Sequence, residues 1–69
     1  MNFDNIGSAM DILFDELKDD KQSEKIIEQI DTATSDAALK KGMTAGIARL
    51  RELGKHTLAH DLEKKIKGW

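Results

Sequence analysis

The sequence contains no cysteine and no proline, and it also lacks valine and tyrosine. Without cysteine the chain forms no disulfide, no thiolate metal site and no cysteine nucleophile, a composition typical of reducing compartments. Proline breaks helices, and valine and tyrosine favour strands, so their absence favours α-helix. The chain is therefore expected to be an all-α, cytoplasmic protein.

Long uncharged stretches are also missing. No segment approaches the roughly 20 apolar residues that a membrane span requires. The N-terminal segment, residues 1–18, carries Asp4, Asp11, Asp15 and Glu16 in place of the basic start and apolar run of a secretion signal. With 69 residues, of which 39% are hydrophobic and 35% charged, the chain is expected to form one helical domain over residues 1–69, without a membrane partner.

Apolar residues recur at spacings of three and four in four segments, each of which predicts an amphipathic helix. Asp4, Ser23 and Ser35 are the expected caps of the first three helices, and Gly54 is the expected left-handed end of the third. Short connections between such helices predict a small bundle of about four helices. The apolar positions are Phe3, Ile6, Met10, Leu13 and Leu17; Ile26, Ile27 and Ile30; Leu39, Met43, Ile47, Leu50 and Leu53; and Leu58, Leu62, Ile66 and Trp69.

Two glycines in the third segment bear on both the fold and the binding of a partner. Each costs about 1 kcal/mol relative to alanine inside a helix, so the alternative to one continuous helix is a break at Gly42 with Thr44 capping the next. The apolar periodicity favours the continuous helix. Ala38, Gly42 and Gly46 then form a groove that admits another backbone, either a crossing helix of the same chain or a partner.

The charges are divided between the two halves of the chain. Residues 1–35 carry nine acidic and three basic residues, a net charge of −6, whereas residues 36–69 carry four acidic and eight basic residues, a net charge of +4. Clustered charge of one sign attracts partners of the opposite sign. The alternative is that the two halves attract each other inside the fold.

The basic half suggests nucleic-acid binding as an alternative function, because its cations could neutralise phosphates. Placing Gly42 or Gly54 in the turn of a helix-turn-helix, however, puts charged residues at positions that require apolar ones. The chain is also acidic overall, with a net charge of −2, and has no aromatic residues interleaved with the basic ones. Nucleic acid is therefore the less favoured partner. The predicted phosphate contacts are Lys40, Lys41, Arg49, Arg51 and Lys55.

The first helix is the preferred interaction surface. Ile12 lies off the apolar stripe and is predicted to form, with Phe14, an apolar patch that has an acidic rim and suits a basic groove on another protein. The chain is therefore predicted to be a small protein-binding module, a regulator or adaptor. Self-association is a further expectation for so short a chain. The predicted partner-binding residues are Asp11, Ile12, Phe14, Asp15, Asp19 and Asp20 on the first helix, with Gly42 and Gly46 on the third.

No residues in the chain point to catalysis or to a bound cofactor. His56 and His60 have the spacing of two metal ligands on one helix face, but spacing fixes no third ligand, and the glutamate of zinc proteases is absent between them. Ser8, Ser23 and Ser35 lie at or near helix starts, where capping explains them. We therefore expect no enzyme activity, no cofactor and no metal.

Overall fold

The computed structural model describes the backbone of residues 3–67 and the side chains of residues 5–67. This part of the chain contains four α-helices, one 3₁₀ turn over Lys21–Ser23 and no strand. The all-α prediction, with about four helices, is confirmed. The helices are α1, Phe3–Leu17; α2, Glu24–Asp31; α3, Asp36–Glu52; and α4, His56–Lys65.

Both ends of α3 are closed as the sequence predicts. At its start the Ser35 hydroxyl oxygen accepts a hydrogen bond from the Ala38 backbone N–H at 3.2 Å, which satisfies one of the unpaired donors of the first turn. At its end Gly54 has φ +84°, and the N–H of Lys55 donates to the Leu50 carbonyl at 2.9 Å. This is the glycine-terminated arrangement that turns the chain sharply into α4.

The starts of the first two helices differ from the prediction. Helix α1 begins at Phe3, one residue before the predicted cap Asp4, whose side chain lies outside the described residues. Ser23 occupies the cap position of α2 but forms no side-chain cap hydrogen bond. Its hydroxyl instead donates to Asp20 Oδ2 at 2.5 Å. The serine is fully buried, so it closes the 3₁₀ turn through a side chain three residues earlier.

Helix α3 lies at the centre of the fold and packs against the other three helices. The predicted stripes supply most of the core. Leu53 is an exception at 38% exposure, because it follows the last helical residue. Trp69, predicted to extend the α4 stripe, lies outside the described residues. The buried hydrophobic residues are Ile6, Ala9, Leu13, Leu17, Ile30, Met43, Ile47, Leu50, Ala59, Leu62 and Ile66.

The two glycines of α3 allow other helices to approach its backbone closely, and the helix continues through both of them. A Cβ built at Gly42 would lie 2.8 Å from Ile30 Cγ1 of α2, and one at Gly46 would lie 3.2 Å from Leu13 Cδ2 of α1. The small-residue groove is therefore filled by the chain's own helices. It offers no open surface to a partner, which removes Gly42 and Gly46 from the predicted partner-binding set.

Candidate functional site

Asp11 and Asp15 lie four residues apart on the exposed side of α1, and Asp19 follows in the turn after the helix ends; the three are here called the acidic row. At 100° and 1.5 Å per residue, Asp11 and Asp15 lie about 40° apart around the helix axis and about 6 Å apart along it. Asp15 accepts a hydrogen bond from Lys18 Nζ at 3.1 Å, and both side chains remain more than half exposed. Asp11 and Asp19 make no ion pair with any residue that the structure describes. The row is thus an open line of negative charge.

Ile12 and Phe14 do not form the predicted apolar strip. Two residues apart on a helix, they lie about 160° apart around its axis, and each is half-buried against the core. Within α1, Ile12 lies about 60° from Asp15 around the helix axis, on one side of the acidic row, and Phe14 lies about 60° from Asp11, on the other side. The aspartates therefore separate the two side chains, which form no single patch. The predicted patch is corrected to the acidic row with these half-buried side chains at its two borders.

Asp20 is not part of the interaction surface either, because it forms an ion pair with Arg49 within the fold. Arg49 donates from Nε to Asp20 Oδ2 at 2.7 Å and from Nη2 to Oδ1 at 3.2 Å. The two side chains are only 16% and 19% exposed. The hydrogen bonds from Arg49, followed by the one from Ser23, lower the pKa of Asp20 from 3.8 to about 2, because they stabilise the charged carboxylate. This bidentate pair ties the 3₁₀ turn to α3.

Two more of the predicted phosphate contacts are also paired with carboxylates. Lys55 Nζ lies 2.7 Å from Glu16 Oε2, which joins the turn before α4 to α1. Arg51 Nη2 donates to Glu63 Oε2 at 2.7 Å between α3 and α4, and this hydrogen bond lowers the pKa of Glu63. Because Lys55 and Arg49 bind acids from residues 1–35, the opposite charges of the two halves partly neutralise each other within the fold.

A second charged surface lies where the start of α3 faces the end of α4. Here an open groove of about 380 Å³ is lined by Lys40, His60, Glu63, Lys64, Ile66 and Lys67, and is called the basic groove. Lys64 and Lys67 are exposed and make no ion pair with any described residue. Lys41, the remaining predicted phosphate contact, is exposed but does not line the groove.

The predicted phosphate contacts include Lys40, whereas Lys64 and Lys67 enter the sequence prediction only among the cations of the basic half. Both lysines lie near the end of α4, where a favourable interaction with the helix dipole explains basic residues without any ligand. The signal that would have found the groove is the turn at Gly54. Folding α4 back on α3 about that turn places the last residues of α4 beside the first turns of α3.

The predicted pair of histidines lies on the surface. His56 and His60 are both exposed, and residues 5–67 contain no group of three or more potential ligands placed to hold a metal ion. Within the same part of the chain, no helix has both the length and the apolar character needed to cross a membrane. Of the three serines, Ser23 and Ser35 take part in the local hydrogen bonds described above.

Comparison of the chain with protein-family models, with curated proteins and with solved structures gives no match. Its candidate sites are therefore those that its own surface presents. They are the acidic row on α1, with Ile12 at its border, and the basic groove between α3 and α4.

Proposed function

We propose that this chain is a small helical module that binds another protein, as a regulator or adaptor, through the acidic row on α1. This is supported by a difference among the acidic residues 11–20, some of which form ion pairs within the chain while others do not. Glu16 and Asp20 bind cations of the same chain, whereas Asp11 and Asp19 point to solvent without an ion pair among the described residues. Those two carboxylates are exposed and available to a basic partner.

Ile12 gives this surface an apolar component. It is half-buried against the core and borders the row, so a partner covering the aspartates would also cover its exposed part. Apolar contact supplies affinity that exposed ion pairs alone do not, because each such pair contributes at most about 1 kcal/mol. The expected partner surface is a basic groove with an apolar floor.

Nucleic-acid binding has less support. Arg49, Arg51 and Lys55 each bind a carboxylate of the same chain, so a phosphate backbone would have to displace those acids. Of the five predicted contacts, only Lys40 and Lys41 lie outside these pairs. Phosphate binding would weaken steeply with added salt, whereas a contact that is partly apolar would weaken less.

The test is capture of partners from nuclease-treated lysate by the tagged chain, with the bound material identified by mass spectrometry. The row variant is Asp11→Asn with Asp15→Asn and Asp19→Asn. The control variant changes three exposed acids of α2, Glu24→Gln, Glu28→Gln and Asp31→Asn, and so has the same net charge. We expect one specific protein to be captured by the wild type and by the control, and to be lost from the row variant.

Two results would contradict the proposal. Equal capture by the row variant and the control would show that the acidic row does not bind the partner. Recovery of nucleic acid from untreated lysate, with every protein lost after nuclease treatment, would favour the nucleic-acid alternative. In that case Lys40→Gln with Lys41→Gln should reduce the recovery, and the dependence of binding on salt should be steep.

A further inference from the structure

Among the residues that the structure describes, the basic groove is lined by more cations than anions. Its one acidic residue in that part of the chain, Glu63, is bound by Arg51 at 2.7 Å. Lys64 in the last turn of α4 and Lys67 just after that helix have no carboxylate partner among the described residues. Ammonium groups gathered at one groove repel one another, so an anionic ligand would relieve a cost that the isolated chain bears.

The helix dipole explains only part of this arrangement. Cations near the end of α4 are stabilised by the partial negative charge of the helix C-terminus, which accounts for Lys64 and its neighbours. It does not account for the gathering of these cations beside an apolar surface. Ile66, a core residue that is 9% exposed, lines the groove with them. The groove thus combines a cationic rim with an apolar floor.

We propose that the basic groove is the docking site for the acidic row of a second copy of this chain. This inference rests on the part of the proposed function that assigns binding to the acidic row, and it names a second copy as what the row binds. The two surfaces are complementary in charge and in apolar character. The aspartates of the acidic row would face Lys64 and Lys67, and Ile12 at the border of the row would lie near Ile66 in the groove. Asp11 and Asp15 are about 6 Å apart along α1, and Lys64 and Lys67 lie three residues apart at the end of α4, so each surface presents charges of one sign close together.

The geometry of the two surfaces sets the kind of assembly. The row and the groove are different parts of the chain, so the contact is heterologous and copies join head to tail. Exposed ion pairs are weak and screened by salt, so the association is reversible. It is strongest at low ionic strength and is lost at high ionic strength.

The experiment is sedimentation velocity of the purified full chain at several protein concentrations. At about 0.01 M ionic strength, where the Debye length is about 30 Å, we expect the average sedimentation coefficient to rise with protein concentration. Near 1 M, where the Debye length is about 3 Å, we expect it to fall to the monomer value. Lys64→Gln with Lys67→Gln should weaken association about tenfold, as expected for the loss of two favourable surface ion pairs.

Charge reversal separates a specific contact from an effect of net charge. Lys64→Glu with Lys67→Glu should be monomeric at low salt, whereas Lys21→Glu with Lys25→Glu, which has the same net charge and changes exposed residues away from the groove, should associate like the wild type. The corresponding charge reversal of the acidic row, Asp11→Lys with Asp15→Lys, should also be monomeric; it is called the row reversal, and Lys64→Glu with Lys67→Glu is called the groove reversal. An equal mixture of the row reversal and the groove reversal should associate again, because each altered surface then meets its complement. Circular dichroism checks that every variant is folded.

A wild-type chain that stays monomeric at low salt overturns this inference, as does equal loss of association in the groove reversal and in its matched control. In either case the proposed function stands if the acidic row is still needed for capture of a partner from lysate. Conversely, if the mixed reversals associate while lysate capture does not depend on the row, the docking of a second copy is supported and the separate protein partner is not.

Discussion

The two sides of α3 are used in opposite ways. Gly42 and Lys40 are two residues apart and so lie about 160° apart around the helix. On the glycine side, Ile30 and Leu13 approach the backbone, and Arg49 is paired with Asp20. On the lysine side, α4 leaves an open groove lined by cations. The first side is buried against other helices, and the second borders an open groove beside the exposed Lys64 and Lys67.

The largest effect is expected where the glycine side is tightest. In Gly42→Leu the Cβ would lie 2.8 Å from Ile30 Cγ1 and 3.4 Å from the Ile30 backbone nitrogen, so α2 would have to move away from α3. Overpacking of this kind destabilises a protein by about 1–3 kcal/mol, occasionally more. We expect a loss of about 3 kcal/mol in urea unfolding followed by circular dichroism.

Ala48→Leu is the matched control, because Ala48 is exposed on the same helix. Its effect should stay within about 0.5 kcal/mol. A similar small effect for Gly42→Leu would show that α2 does not pack on the glycine face in solution.

The next largest effect is expected at the ion pair between Asp20 and Arg49, on the glycine side of α3. The folded pKa of Asp20, about 2, lies below its ordinary value of 3.8. A carboxylate with a depressed pKa contributes stability that is present above its unfolded pKa and is lost as the pH falls through its folded pKa. The contribution of Asp20 should therefore disappear between about pH 4 and pH 2.

Asp20→Asn isolates that contribution. We expect the thermal unfolding midpoint of the variant to lie below that of the wild type at pH 6, and the difference to shrink steadily as the pH is lowered towards 2. A difference that stays constant across this range would mean that Asp20 stabilises the fold through packing or neutral hydrogen bonds, and not through its charge.

Smaller effects distinguish a glycine beside open space from one beside a packed side chain. A Cβ added at Gly7 would have nothing within 4 Å, whereas at Gly46 its nearest atom would be Leu13 Cδ2 at 3.2 Å. Gly7→Ala should therefore stabilise the chain by about 1 kcal/mol, the helix-propensity gain. Gly46→Ala should stabilise it less, because the end of Leu13 must shift. Equal gains at both positions in urea unfolding would show that α1 packs loosely over Gly46.

Much of the fold could be predicted from the sequence because its signals are local. The spacing of apolar residues reports which face each helix buries, since each packs on a common core. Ser35 and Gly54 act through hydrogen bonds within a few residues of themselves. The predicted cap at Ser23 is wrong because its hydroxyl donates to Asp20, three residues earlier, and that carboxylate is in turn held by the distant Arg49.

The candidate surfaces were harder to predict because they depend on contacts between distant residues. Arg49 and Asp20 are 29 residues apart in sequence, and Lys55 and Glu16 are 39 apart, so spacing alone does not reveal that these charges are paired. The basic groove likewise exists only after α4 folds back on α3. The error at Phe14 was of another kind, because its separation from Ile12 around the helix axis follows from helical geometry alone.

The smallest effect on stability is expected on the lysine side of α3. Lys64→Gln with Lys67→Gln removes two favourable interactions with the helix dipole but also relieves repulsion between neighbouring cations, so the two changes oppose each other. We expect the free energy of unfolding at moderate salt to change by less than about 0.5 kcal/mol, while self-association weakens. A much larger loss of stability would mean that these lysines support the end of α4. The lysine side would then resemble the glycine side, and the groove would be a consequence of folding with no surplus charge to offer a partner.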